Sequence, residues 1–261
     1  MSAPPTAVAG GLLPPAAGLA LDEALVRCTP ERPQLAIWRT RPAVIIGRFQ
    51  RPDWEVEPDA CRAAGARIWR RFSGGGAVYL DEGVVCATLC LPSADPAVAA
   101  GIPAMYQPFL RGIAAACRAL GADAAVDERT VRVGDRKVTG IAAHRGRMVT
   151  MVHGTLLVDA DLSALRACLA GPRGGDLQGT PRPTMSRPDH VANVGGPLER
   201  AEQAVAEAFG ADLAAATTPA AAVEARASAL QRERYLDLAW HAGPWAEVCD
   251  RRVSALLGPS I

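Results

Sequence analysis

The amino-acid sequence predicts a mixed α+β fold, a largely antiparallel sheet flanked by helices. Three observations lead there. Strand-like segments come in adjacent runs rather than alternating singly with helices. Helical segments cluster between and after those runs. The 261 residues are 49% hydrophobic and carry no internal repeat, enough for one large core or one core with a small appendage.

Along the chain, residues 1–18 are studded with prolines and read as a flexible segment, with residues 19–261 forming the main domain. Leu19 to Cys28 is periodic as a helix. Leu35 to Trp38 and Ala43 to Ile46 are short β-rich runs, and Gly47 marks the turn that follows. Pro58 to Gly65 has a helix-like start and a glycine stop. Arg67 to Arg71 is a strand, residues 73–76 a tight glycine loop, and Ala77 to Leu80 and Val84 to Leu91 two more strands. Pro103 to Leu120 is a helix ending at Gly121. Thr130 to Val133 and Lys137 to Thr139 flank Gly134-Asp135, a hairpin signal. Arg147 to Val152 and Thr155 to Val158 are strands parted by His153-Gly154, and Asp161 can cap the helix running to Leu169. Residues 171–188, rich in glycine, proline and arginine, read as a mobile loop. Leu198 to Phe209 and Ala220 to His241 are the last two helices.

Charge excludes some functions. Basic and acidic residues number 28 and 27, so the chain lacks the basic surface that nucleic acid or a membrane would require. The seven cysteines are odd in number and include no Cys-x-x-Cys, against a disulfide framework or a structural zinc site. Reduced thiols, an N-terminus without a basic start or unbroken apolar run, and no bilayer-length apolar stretch together point to a cytoplasmic location.

Three segments carry chemistry. In Arg70-Arg71-Phe72-Ser73-Gly74-Gly75-Gly76-Ala77-Val78-Tyr79, the triple glycine lets backbone N–H groups approach a ligand, and the paired arginines could clamp a phosphate or carboxylate. The run lacks the Gly-Lys-Ser/Thr of a P-loop and leads into a strand rather than a helix; a plain glycine-rich hairpin is the competing reading. Lys137 is the sole lysine among the 28 basic residues, and Asn193 the sole asparagine. A lysine that survives where arginine dominates is a candidate for chemistry that needs a compact point charge. The third segment is His153-Gly154-Thr155, weak by itself.

In order and spacing the three segments resemble the lipoate–protein ligases, within the superfamily of biotin/lipoate ligases and octanoyltransferases. The resemblance rests on Arg-Arg-x-Ser-Gly-Gly-Gly-Ala-Val, on Lys137-Val138-Thr139-Gly140, on His153-Gly154-Thr155-Leu156-Leu157 with Asp161-Leu162, and on Val191-Ala192-Asn193-Val194, and covers roughly residues 20 to 240. It implies a class II synthetase-like or biotin ligase-like fold and ATP-dependent activation of lipoate, with Mg²⁺ accompanying ATP, for transfer to a lysine of a lipoyl-domain acceptor. That acceptor would be a dehydrogenase E2 subunit or a glycine-cleavage H-like protein. Lys137 would be catalytic. Arg71, Gly76, Ala77, Val78, Tyr79 and Lys137 would hold ATP and the acyl-adenylate. Arg71, Ser73, Gly74, Gly75, His153, Gly154 and Thr155 would hold lipoate. The loop from Gly171 to Arg187 would order over the adenylate.

The chain departs from the family pattern at Leu80-Asp81-Glu82-Gly83-Val84 and at Glu128-Arg129-Thr130, where adenine and metal would be held; no metal ligands can be assigned. The family's C-terminal accessory domain is expected to be absent, supplied by another chain, or unnecessary. Other readings are an ATP-independent, cysteine-dependent octanoyl or lipoyl transferase, a biotin–protein ligase, whose arginine-interleaved glycine loop is not present, and a non-catalytic acyl-adenylate-binding homologue.

Overall fold

The computed structural model describes residues 4–28, 30–171, 183–186, 189–214, 216 and 219–258. In chain order these form β1 (Thr6–Leu12), α1 (Pro15–Arg27), β2 (Gln34–Arg39), β3 (Ala43–Ile46), α2 (Pro52–Glu55), α3 (Pro58–Ala63), β4 (Arg67–Arg70), β5 (Val78–Leu80) and β6 (Val84–Pro92). Then come α4 (Pro96–Ala99), α5 (Ile102–Ala119), β7 (Ala124–Asp127), β8 (Thr130–Val133), β9 (Arg136–Lys137), β10 (Ile141–Arg145), β11 (Val149–Leu157) and α6 (Leu162–Cys168). The described part ends with α7 (Leu198–Ala208), α8 (Ala221–Leu230), α9 (Leu238–Ala242) and α10 (Arg251–Ser254).

The expected mixed α+β architecture is the one that forms. The central sheet runs β1-β2-β6-β11-β10, and two three-stranded sheets, β4-β3-β5 and β7-β8-β9, flank it. Among the described strands β1–β2 and β3–β4 pair in parallel and the other ladders are antiparallel.

The alternation of side chains decides which face does what. On β6, Val85, Ala87, Leu89 and Leu91 join Phe109, Ile113 and Val205 from α5 and α7 in one core. Val84, Cys86 and Cys90 point the other way, against Leu21 and Leu25 of α1. Both faces are covered, which is why Val84 to Leu91 is apolar on both alternations, broken only by the buried Thr88. On β11 the same period-2 rule sends Val152 and Leu156 to the α5 side, and Met151 and Leu157 to the α1 side. His153 and Thr155 therefore face α1, opposite Thr88 and Cys86 in register.

Four expectations are corrected. Residues 1–18 are not simply flexible: Thr6–Leu12 add a parallel edge strand to β2, and α1 starts at Pro15. The prolines bracket that strand instead of interrupting it. The two strands around His153-Gly154 are one continuous strand, because a Gly154 side chain would strike the Gly140 carbonyl oxygen at 2.4 Å, and glycine permits that approach without breaking the ladder. Strands β7 and β10 were not foreseen. The single helix foreseen over Ala220 to His241 breaks into α8, a π-helical turn at Gln231–Tyr235, and α9.

That π-turn has a physical cause. Glu23 of α1 is buried and accepts from Tyr235 Oη at 2.8 Å, from Arg27 at 2.9 Å, and from Arg234. One carboxylate thus ties the first helix to the C-terminal segment. Glu23→Ala is expected to lower stability by about 2–3 kcal/mol, the scale of a lost hydrogen bond to a charged group. Both arginines can turn to water, whereas the Tyr235 hydroxyl cannot. Urea unfolding checks this.

Candidate active site

The glycine loop has few side chains of its own and is held from behind. Arg71 is buried, and its guanidinium donates to the carbonyls of Gly74 (2.6 and 3.1 Å), Gly76 (2.8 Å) and Ile45 (3.2 Å) and to Ser73 Oγ (3.1 Å). Arg70 is also buried. Its guanidinium donates to Gly47, Arg48 and Gln50 on one side, and to Trp240, His241 and Ala242 on the other, all through backbone carbonyls. The paired arginines therefore do not form the anion clamp that the sequence suggested. They are spent on backbone oxygens, and burial without a carboxylate partner pulls both guanidiniums down to about 10. The loop also rests on Gly47, where a Cβ would meet the Gly75 carbonyl oxygen at 2.1 Å, so only glycine fits.

The front of the loop faces a cavity of about 610 Å³. Arg71, Gly75, Gly76, Ala77 and Val78 line it together with Lys137, His153, Gly154 and Thr155. Ser73, Gly74 and Tyr79 are absent from this lining. Ser73 is buried behind it, with its Oγ 2.7 Å from His153 Nε2. Tyr79 lines a second, smaller cavity of about 330 Å³, together with Leu157, Leu165 and Leu169. Lys137, Ala77, Val78, Gly140 and Thr155 border both cavities.

Lys137 is the hinge point of this arrangement. Its backbone N–H donates to His190 at 2.8 Å, and its carbonyl accepts from Ala192 at 3.0 Å, so the segment after the glycine-proline-rich loop clamps β9 in place. Burial lowers the ammonium's pKa, Asp189 opposes that shift, and Arg132 adds to it. Arg132 is itself gripped by Asp189 at 3.0 Å and Asp127 at 2.8 Å. Residues 172–182 and 187–188, most of the loop expected to cover an adenylate, lie outside the described residues.

Sequence reading missed several contributors. Asp22 lines the large cavity, accepts from Trp38 Nε1 at 3.0 Å, and sits 3.6 Å from His153 Nδ1. With Ser73 on Nε2, this aligns Ser73, His153 and Asp22 in a row. Burial lowers the His153 pKa, and Asp22 acts against that shift. The one available signal was an acid inside the apolar stretch Leu19-Ala20-Leu21-Asp22. Ser186 accepts from the Ala77 N–H at 2.7 Å and from Gln50 at 3.1 Å, joining the end of the glycine loop to the later segment. Asn193, the lone asparagine, is structural: it exchanges two hydrogen bonds with the Ala160 backbone at 2.9 and 3.1 Å.

Comparison with known proteins fits this geometry. The model of the lipoyl protein ligase A/B catalytic domain matches residues 14–210. Lipoate-protein ligase A subunit 1 of Thermoplasma acidophilum is 31% identical over 189 residues, 67% of this chain and 70% of that protein. A crystal structure of lipoate-protein ligase A bound with ATP superposes with a TM-score of 0.76 at 25% identity, covering 92% of this chain and 99% of that one. A chain from the analysis of a bipartite lipoate protein ligase and its E2 lipoyl domain, also from T. acidophilum, gives 0.73 at 26%, covering 92% and 97%.

His241, wholly buried, accepts from the Arg70 backbone N–H through Nδ1 at 2.9 Å and meets the Tyr235 carbonyl through Nε2 at 3.0 Å. Burial pulls its pKa from the usual 6.5 to about 4. A depressed pKa means that the unfolded state takes up the proton first. Its contribution is then complete above pH 6.5 and drains away as pH falls towards 4, by about 3 kcal/mol. His241→Gln, which can keep both hydrogen bonds, is expected to lose this part of the acid sensitivity, measured as the difference between the two proteins in unfolding free energy against pH.

Proposed function

The chain belongs to the lipoyl protein ligase A/B catalytic domain family, and on that premise we propose that it is a lipoate–protein ligase, using ATP to activate lipoate and handing the acyl group to a lysine of a lipoyl-domain protein. The observation that carries this reading is Lys137 on the shared wall of two cavities. A substrate made of an acid and a nucleotide needs two compartments joined at the point of reaction. The large cavity, walled by Leu19, Trp38, Ile45 and Leu80, suits an apolar acyl chain. The smaller one, behind Ala77, Val78 and Tyr79, suits the nucleoside.

In this reading a carboxylate oxygen of the acid attacks the α-phosphorus of ATP, and pyrophosphate leaves. The Lys137 ammonium offsets charge on the carboxyl and α-phosphoryl oxygens as the bond forms. N–H groups of the glycine loop, fixed by Arg71, receive phosphate oxygens without having to reorganise. His153, held by Ser73 and Asp22, and Gly154 and Thr155 seat the acyl chain below the carboxyl. The acceptor amine then attacks the carbonyl carbon, and AMP departs. The lining limits water, which the mixed anhydride requires.

Asp127 and Asp189 are committed to Arg132, and Glu128 lines the cavity outside the ion pairs found among the described residues. One carboxylate with waters and substrate phosphates is a usual Mg²⁺ environment, so Glu128, which lines the large cavity and not the nucleoside's, would meet the ion where the triphosphate reaches past Lys137 into the large cavity. The ion would screen the triphosphate as pyrophosphate leaves. Cysteine-dependent transfer is disfavoured: Cys86 lines the large cavity, but burial drives its thiol well above the usual range, opposite to what a thiolate nucleophile needs.

The catalytic unit expected over residues 19–261 is extended to take in β1 and the start of α1, and Trp240 and His241, beyond the matched 14–210, complete the support of the glycine loop. The bipartite T. acidophilum ligase also makes a separate accessory chain part of the proposal. No helix among the described residues is long and apolar enough to cross a membrane; a cytoplasmic location is proposed with the enzyme.

Incubation with ATP, Mg²⁺ and lipoate is expected to add one lipoyl mass to an apo lipoyl domain, read by intact-protein mass spectrometry; no adduct on E2 or H-type domains would sink the proposal. Lys137→Ala is expected to abolish lipoate-dependent ATP–pyrophosphate exchange with an unchanged melting temperature. Lys137→Arg is expected to lose at least a hundredfold, because a planar fork replaces a point charge. Near-normal exchange in either variant would refute the role of Lys137.

A further inference from the structure

Beside the cavity mouth lies a surface that the chemistry above does not use. Phe49 is 56% exposed and Met185 44% exposed, and unlike singly exposed apolar side chains the two lie together. They are neighbours: Thr184 N–H donates to the Phe49 carbonyl at 2.8 Å, and Thr184 and Met185 themselves line the large cavity. The Phe49 ring also abuts the glycine loop, since a Cβ on Gly74 would come within 3.8 Å of it.

Arg48 completes the patch. Its guanidinium lies 5.7 Å from the Phe49 ring and 5.9 Å from the Trp240 ring, and it forms none of the salt bridges among the described residues. Its backbone is fixed at both ends: the N–H donates to Ser73 at 2.8 Å, and the carbonyl accepts from Arg70 at 2.9 Å. Arg234 also lies against Trp240, 4.5 Å from the ring. Arg234 and Arg27 share one buried carboxylate, Glu23. His144, packed on Phe72, feels both Arg27 and Arg48 as like charges. Two guanidiniums thus share one carboxylate, and Arg48, which acts on the same His144, is in none of the salt bridges among the described residues, in a chain whose net charge is only +1.

A stacked, pre-positioned arginine among exposed aromatic and methionine side chains has the composition of a protein–protein hot spot. Its excess positive charge selects an acidic partner. Its place at the rim of the acyl cavity selects the molecule that must approach there.

We infer that Arg48, Phe49 and the Trp240 edge form the docking surface for the acyl acceptor, a protein domain with acidic residues around its acceptor lysine. The inference rests on the ligase reading and deepens it. The patch is too small and too apolar for a polyanion track, whose backbone contacts would need a long basic stripe.

The test separates docking from chemistry. With the apo lipoyl domain that accepts lipoate from the wild-type protein, Arg48→Glu is expected to raise KM for the domain at least tenfold. Lipoate-dependent pyrophosphate exchange should stay within twofold of wild type, since exchange needs no acceptor. Phe49→Ser should act in the same direction. Wild-type KM should rise with salt, and that of Arg48→Glu should rise less. Replacing an acidic residue beside the acceptor lysine by lysine should recover transfer by Arg48→Glu. An unchanged KM in both variants would overturn the docking surface, as would loss of exchange together with transfer, which would place Arg48 in the catalytic site. A wild-type protein with neither exchange nor transfer would remove the ligase reading and this inference with it.

Discussion

The whole site depends on one constraint: a stretch of backbone without side chains must be immobilised by groups outside itself. Three consecutive glycines can approach a ligand closely, but they also carry the highest conformational entropy of any sequence. Here the order comes from behind. Arg71 threads its guanidinium under the loop and satisfies the Gly74 and Gly76 carbonyls. Arg70 does the same for the neighbouring turn and joins it to the C-terminal segment. Ser73 passes this rigidity to His153, and Ser186 fastens the loop's far end. Positive charge that would be costly to bury is acceptable because carbonyl dipoles surround it.

Much of this was legible in the sequence, for stated reasons. The glycine loop, Lys137 and His153-Gly154-Thr155 are local signals, and each needs only a few adjacent letters to be noticed. The apolar segment from Val84 to Leu91 signalled a strand, and the folded sheet shows that it is covered on both faces. What escaped was what depends on distant partners. Asp22 matters only because the fold brings α1 over β11, and helical periodicity hid it among core leucines. The strand at Thr6–Leu12 lies among prolines and glycines, and its evidence is a parallel register with β2 that only the folded sheet supplies.

The paired arginines show a different failure. Two cations before a glycine loop suggest an anion, yet the nearest oxygens proved to be the chain's own. A count of charges says how much positive charge is present, not which oxygens it meets. The two rarest residue types point the same way. Lys137 and Asn193 both survive in a chain that otherwise avoids them, but one faces the cavities and the other mends a backbone at Ala160. Rarity marked positions where another residue type would not serve, without distinguishing reactivity from architecture.

The bond from the Arg70 N–H to His241 Nδ1 spans 171 positions of sequence. A nascent chain leaving the ribosome can build the central sheet and expose its glycine loop long before residue 241 emerges. Until then Arg70 lacks part of its carbonyl cage, and the loop lacks its rear support. Closure of the pocket's rear wall is therefore a high-contact-order step, complete only once the C-terminal segment has folded back onto β4.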